Sequence, residues 1–199
     1  LPPFVLGLTT GRTPLGLYRE LVRRYQAGKV SFKHVAVYSL DEFYPIHRTD
    51  QQSRNFRIHD DFLRHIDIAP ENVHTLDGEV AESRISEYCS EYEKSIRKID
   101  LMIIGFGEQG QLGFNEQGSY AKSHTRLVEL SHNSRKLQSQ QFAGFENTPK
   151  LAITMGIGTI MRADKVILMA WGEDKADAVQ RIVEGEITDR VPTSHLQEH

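Results

Sequence analysis

The chain has 199 residues, 39% of them hydrophobic, and a formal net charge of −3, which is enough for one domain with a sizeable core and crowded for two. Its 24 Lys and Arg are scattered rather than clustered, which argues against nucleic acid or a membrane surface as partner and favours a small molecule. A single cysteine excludes a disulfide framework, no apolar run approaches the ~20 residues that span a bilayer, and no signal peptide is visible, so a soluble cytoplasmic protein is expected. The sequence opens without Met on "LPPFVLGLTTG" and stops at "HLQEH", so residues 1–199 are read as one domain trimmed at both ends.

The first apolar run, "FVLGL", predicts a strand, and Thr9, Thr10, Gly11, Arg12 and Thr13 follow it. Thr13 is placed as a helix N-cap and Pro14 at the first helical position, with Leu15, Tyr18, Leu21, Val22 and Tyr25 as the apolar stripe and Gly28 near the end. Backbone N–H groups ahead of that helix make the loop an anion cradle suited to a phosphate; the plainer alternative is a tight turn capped by Thr13. The Walker pattern G-x-x-x-x-G-K-[ST] is absent. "HVAVYSL" predicts a second strand, followed by Asp41 and Glu42. Successive strand side chains point to opposite sides, so at most one of these carboxylates faces a pocket. It is either a general base or the cap of a turn.

His34, His59, His65 and His74 read as surface or partly buried polar residues, and Ile85, Tyr88, Cys89, Tyr92 and Ile96 mark a second helix that takes the Cys89 thiol into the core. "DLMIIGFG" predicts a third strand, leading into "IIGFGEQGQLGFNEQGS" from Ile103 to Ser119. Gly105, Gly107 and Gly110 satisfy G-x-G-x-x-G, but a dinucleotide fingerprint needs a helix from its third glycine. The residues that follow bring two more glycines and no apolar stripe, so the stretch reads as a loop. Ser131 to Lys150, rich in Asn, Gln and Ser, is the least regular region and reads as a surface excursion or a lid.

"LAITMGIG" and "KVILMAW" complete five strands, and Lys175 then stands in the first turn of a helix, where a cation opposes the macrodipole. An anion in front of it, or Glu173 and Asp174 beside it, would compensate. Nearly unbroken apolar runs suit parallel strands covered on both faces, and strand-helix alternation indicates an α/β fold. The phrases "TTGRT", "DEF", "GFGEQG" and "GEDK" follow strand ends, the edge at which open parallel sheets bind ligands, so one shared pocket is expected. There is no G-x-S-x-G elbow, no H-E-x-x-H and no His/Cys ligand spacing, so neither a conventional hydrolase nor a metal site is expected.

Together, "LGLTTGRTPLGLY", "YSLDEFYP", "GFGEQGQLGFNEQGS", "LAITMGIGTI" and "ILMAWGEDKADAV" resemble, in order, the glucosamine-6-phosphate deaminase (isomerase) family, and "VEGEITDRVPTSHLQEH" resembles its closing segment. The resemblance implies a modified Rossmann-like three-layer α/β sandwich with a mainly parallel central sheet. It also implies that a short N-terminal helix and strand and a closing C-terminal strand lie outside the sequence. The implied reaction converts glucosamine 6-phosphate to fructose 6-phosphate and ammonia, with no cofactor and no metal. In it a carboxylate moves the C2 proton and a histidine, oriented by acids, opens the sugar ring.

By motif position Asp41 matches the base and Glu116 the acid that supports the histidine. Thr10, Gly11, Arg12 and Thr13 match the phosphate loop, Gly107 the backbone that turns closely around the sugar, and Lys175 the phosphate-binding lysine. The chain departs from the pattern at Gln109 and Gln111, which stand at the acid/base Asp and His positions, and at Gln117, Gln140 and Arg12, where the family carries Pro, Arg and a small residue. Glutamine exchanges no proton near neutral pH, and loss of a positioned acid/base lowers a rate by ~10²–10⁴-fold. The resemblance thus implies a deaminase/isomerase-type protein with reduced or altered activity, acting on a hexosamine phosphate or related sugar phosphate. The alternatives are a non-catalytic sugar-phosphate-binding regulatory domain and a 6-phosphogluconolactonase-like enzyme. The sequence leaves a homo-oligomer open.

Overall fold

Each of the five apolar runs forms a strand in the computed structural model, which describes residues 2–199. In chain order the elements are β1 (Phe4–Leu8), α1 (Leu15–Gln26), β2 (Val35–Ser39), β3 (Asp41–Tyr44), α2 (Arg54–Asp61), β4 (Val73–His74), α3 (Ile85–Ser95), β5 (Leu101–Gly105), β6 (Arg126–Glu129), α4 (His132–Gln138), β7 (Leu151–Thr154), α5 (Ile157–Ile160), β8 (Val166–Met169) and α6 (Ala176–Val183). The main sheet is parallel, in the order β4-β2-β1-β5-β8.

Alternation along the central strands divides the core. Leu6, Leu8, Val37 and Ile103 turn to one face, where Tyr18 of α1 and Ile58 of α2 pack with Phe62. Val5, Tyr38, Met102 and Ile104 turn to the other, against Ile85, Cys89 and Tyr92 of α3. Both faces of β1, β2 and β5 are therefore covered, which is why their sequences are nearly unbroken apolar runs. Cys89 is buried among these residues, and burial pushes its thiol up to about 11.

The fourth run departs from the parallel arrangement. β7 joins β3 and β6 in a separate antiparallel sheet, in the order β3-β7-β6. Leu40 hands the chain from one sheet to the other: its N–H donates to the Leu8 carbonyl at 2.9 Å, and its own carbonyl accepts from Met155 N–H at 2.8 Å. Asp41 and Glu42 thus begin a new strand rather than trail the old one.

The start of α1 also differs from expectation. Pro14 occupies the N-cap position and Thr13 makes no capping bond. The Thr13 side chain instead packs on Gly105, 3.4 Å from where a Cβ would stand, and its carbonyl accepts the Trp171 indole N–H at 2.8 Å. At the far end, Gly28 takes φ +67°, while its N–H bonds the Tyr25 carbonyl and the Lys29 N–H bonds that of Arg24. This is a Schellman close, and a side chain at Gly28 would be strained.

In the main sheet the chain moves from β1 outward to β2 and β4, then returns to the other side of β1 with β5. The crevice outside the carboxyl ends of β1 and β5 is the switch point at which such sheets bind ligands.

Candidate active site

Three strand-end loops meet at that crevice. The segment after β1 is tied down by the Tyr18 hydroxyl, which donates to the Thr9 carbonyl at 2.6 Å. Gly105 at the end of β5 abuts Thr13, and Trp171 after β8 reaches it as described. Thr10 Oγ1 is buried without a hydrogen-bond partner, whereas Gly11 and Arg12 are exposed.

The two adjacent carboxylates have different fates. Glu42 is fully occupied: it accepts from Phe43 N–H, Arg54 N–H and Asn55 N–H, each at 2.8 Å, and from Ser53 Oγ at 2.7 Å. Burial raises its carboxyl, and these bonds at the positive end of α2 oppose the rise. Ser53 caps the same helix by accepting from Phe56 N–H at 3.2 Å. Glu42 is therefore a structural cap. Asp41 is buried as well, 7% exposed, yet its carboxylate makes no hydrogen bond among the described residues. Burial pushes it above the ordinary aspartate range, and the nearby Arg54 charge pulls against that rise.

Arg54 and its neighbour on the same helical face, Arg57, are the site residues that motif reading missed. With Gly11, Arg12, Gln140 and Gln141 they line a cavity of about 420 Å³. The Arg54 guanidinium lies 4.8 Å from the Phe43 ring centroid and 5.7 Å from that of Phe114, with its Nε buried and unpartnered. Such a donor costs about 1–3 kcal/mol when unmet. The sequence signal was available: R-x-x-R one residue after Ser53 puts both guanidinium groups on one face of a capped helix.

The glycine-rich segment from Phe106 to Gly118 is a loop, without the helix that a dinucleotide site requires. Gly107 N–H donates to the Gln111 carbonyl at 2.9 Å, and a Cβ on Gly107 would collide with Gln111 Oε1. Gln111 is buried and exchanges hydrogen bonds with Gln109. Asn115, wholly buried, donates through Nδ2 to the Leu112 and Met155 carbonyls, both at 2.8 Å, and accepts from Arg126 at 2.9 Å. From the C-terminal segment, Thr193 N–H and Oγ1 both donate to the Gly110 carbonyl, at 3.0 and 2.8 Å. Close by in sequence, the buried His195 holds Asp189 at 2.7 Å.

The structure does not gather every expected residue into one pocket. Glu116 faces Ser131 N–H at 3.2 Å, at the N-cap of α4, and lines a separate cavity of about 810 Å³ with Arg126 and Ser119. Lys175 precedes α6 rather than lying inside it. Its ammonium stands 3.8 Å from Glu108, and Lys175 lines a third cavity of about 450 Å³ with Ala170, Gly172 and Val179. The irregular stretch after Ser131 is ordered by α4 and by Arg135, which donates to the Phe145 and Thr148 carbonyls at 3.0 and 3.1 Å. It is a packed excursion that delivers Gln140 and Gln141 to the Arg12 cavity.

The same arrangement of strands occurs in known proteins. A solved structure of a monomeric glucosamine-6-phosphate deaminase superposes with a TM-score of 0.94 at 36% identity, covering 100% of this chain and 83% of the other. A 6-phosphogluconolactonase from Thermotoga maritima shares the fold, with a TM-score of 0.76 at 20% identity, over 98% of this chain and 81% of its own. By sequence, the glucosamine-6-phosphate deaminase of Treponema denticola is 44% identical over 99% of this chain and 74% of its own length. Glucosamine-6-phosphate deaminase 2 of Bacillus subtilis is 42% identical over 98% and 80%. The family model for glucosamine-6-phosphate isomerases/6-phosphogluconolactonase matches residues 2–199. With the fold, the ordered motifs and these relatives in agreement, the chain belongs to the glucosamine-6-phosphate isomerase/6-phosphogluconolactonase family.

Proposed function

We propose that the protein binds a hexosamine phosphate and converts glucosamine 6-phosphate to fructose 6-phosphate and ammonia, with Asp41 as the base that moves the C2 proton. The observation that carries this reading is the contrast between Asp41 and Glu42. Glu42 spends its lone pairs on the end of α2, while Asp41 keeps a raised, unengaged carboxylate beside Arg54. A base with an elevated pKa accepts a carbon-bound proton more readily than an ordinary aspartate. Phosphate is taken by the backbone of Thr10–Thr13 and by Lys175. The glutamine pair leaves ring opening without its acid/base group, so turnover draws on the open-chain form and is slow.

Release of ammonia and fructose 6-phosphate from glucosamine 6-phosphate by purified protein tests this directly. Turnover that disappears in Asp41→Asn supports it, and equal turnover in both proteins contradicts it. The mutual hydrogen bonds of Gln109 and Gln111 favour one second reading, a sugar-phosphate-binding regulatory protein. That reading predicts binding with no turnover in the wild-type chain.

A further inference from the structure

The charge of Lys175 is compensated from an unexpected side. Glu173 and Asp174 adjoin it in sequence, yet neither comes within ion-pair distance of its ammonium among the described residues. The carboxylate that does is Glu108, from the glycine-rich loop, at 3.8 Å. Glu108 is 65% exposed and Lys175 23%, so a ligand can reach the pair.

Glu108 is not a loose surface acid. It sits in a turn closed by the Gly110 N–H, which donates to the Gly107 carbonyl at 2.8 Å. Both ends of that turn are pinned again, Gly107 N–H by the Gln111 carbonyl and the Gly110 carbonyl by Thr193 N–H and Oγ1. The Glu108 carbonyl itself accepts from Arg181 Nη2 at 3.1 Å, and Arg181 stands on α6, the helix that Lys175 precedes. The backbone that carries Glu108 is thus tied to the helix that carries Lys175, and the carboxylate is set beside the ammonium in advance. Trp171 docks the same segment on the Thr13 carbonyl, at the end of the loop proposed above to take the phosphate.

An ion pair this long between groups open to solvent is weak. Lysine has a flexible four-carbon stem and three rotatable donors, so its ammonium changes partner readily. A phosphate offers it three oxygens and about two charges, where Glu108 offers two oxygens and one charge. We propose that Glu108 is a resident competitor for Lys175: its carboxylate holds the ammonium until a ligand phosphate displaces it, and it thereby sets how tightly phosphorylated sugars bind. This rests on the reading above, in which Lys175 takes the phosphate. Glu108 acts through Lys175 and need not touch the sugar.

Isothermal titration of glucosamine 6-phosphate into the full chain, Glu108→Gln, Lys175→Ala and the double variant tests the proposal. Glu108→Gln, at an exposed position, is expected to tighten binding by about three- to fivefold. The same substitution made in Lys175→Ala should change affinity by less than about twofold, because the partner it frees is gone. No tightening in Glu108→Gln overturns the proposal. So does an equal gain in the Lys175→Ala background, which would mean general repulsion of the anion. If Lys175→Ala binds too weakly to titrate, carbon-13 NMR of reductively dimethylated lysines decides. The Lys175 signal, identified by its loss in Lys175→Ala, should move in Glu108→Gln without ligand, and an unmoved signal overturns the proposal. Lys175→Ala binding as tightly as wild type removes the phosphate reading and the competitor with it. A weakened Lys175→Ala beside an unchanged Glu108→Gln removes the competitor alone. If none of the four proteins binds, both fall.

Discussion

Gln109 and Gln111 close on each other: Gln111 Nε2 donates to Gln109 Oε1 at 3.3 Å, and Gln111 Oε1 accepts from the Gln109 backbone N–H at 3.1 Å. Between them they hold the turn at Gly107 and Gly110 in shape. Neither amide passes a proton near neutral pH. Glu116, at the position expected to support a histidine here, is engaged with Ser131 instead. The base proposed above for this region is therefore Asp41, whose carboxylate makes no such bond among the described residues.

Replacing Gln111 by His should restore a proton-exchanging group. An imidazole titrates near 6.5 and is of similar volume, so it fits beside Gly107 with little rearrangement. Ammonia release from glucosamine 6-phosphate is expected to rise by ~10²-fold or more in Gln111→His. A steady-state assay from pH 5 to 9 should show the gain tracking a single ionisation in the histidine range. A folded variant with no gain would mean that ring opening does not limit the rate.

Asp41→Asn should separate chemistry from stability. Because the folded state holds the Asp41 carboxyl above its ordinary value, folding favours the protonated form. That contribution is complete below the unfolded pKa of ~3.9 and is lost as pH rises through the folded value. The variant should therefore flatten the decline in stability across that window and be no less stable than wild type at pH 7. Urea midpoints at successive pH values measure this. A variant markedly less stable at pH 7 would show that the Asp41 charge is held by favourable partners.

Lys175→Ala should weaken phosphorylated sugars more than their unphosphorylated counterparts, by about tenfold for loss of a charge-assisted contact. Its ammonium is partly buried and its nearest carboxylate, on Glu108, is 3.8 Å away, so the charge remains free to serve a ligand. Equal losses for glucosamine 6-phosphate and glucosamine, read by titration calorimetry, would remove Lys175 from phosphate recognition.

Glu93 ties α3 to the segment before β6 and to α5. Its carboxylate accepts from Thr125 N–H at 2.9 Å, Thr125 Oγ1 at 2.6 Å, Thr159 Oγ1 at 2.8 Å and Arg162. Burial alone would raise Glu93; the hydrogen bonds overcome it and bring the group down from 4.5 to about 2. A depressed carboxylate stabilises the fold above its unfolded pKa and loses that contribution as pH falls through its folded one. Glu93→Gln is expected to cost on the order of 2–3 kcal/mol at pH 7. The difference should shrink as pH falls from 4.5 towards about 2. A pH-independent loss would point to packing rather than charge.

The strands were legible because burial on both faces leaves a simple mark. "FVLGL", "HVAVYSL" and "DLMIIG" carry no regular polar alternation, and each lies inside the main sheet. "LAIT" has the same appearance for another reason: it is central in the small sheet and packs against the layers around it, so apolarity alone did not say which sheet it joins. Its partners Asp41–Tyr44 and Arg126–Glu129 are half polar and have no strand signature of their own.

Site residues divided along similar lines. Asp41 and Lys175 stood out because each sits where a strand or helix ends. Arg54 did not, since its meaning depends on Arg12, which is 42 positions away and is brought near only by the packing of α2 against α1. Thr13 misled because a Thr-Pro pair fits a cap, whereas contacts with Gly105 and Trp171 claim it for the loop.

The central claim is that Asp41 moves the C2 proton, and isotope exchange tests it without relying on overall turnover. Glucosamine 6-phosphate and fructose 6-phosphate plus ammonium, each incubated with the protein in D₂O, can be followed by proton NMR. Wild type is predicted to place solvent deuterium at C2 of the amino sugar and C1 of the ketose, and Asp41→Asn to place none while still binding both. Binding by wild type with no deuterium incorporated at either carbon would contradict the account.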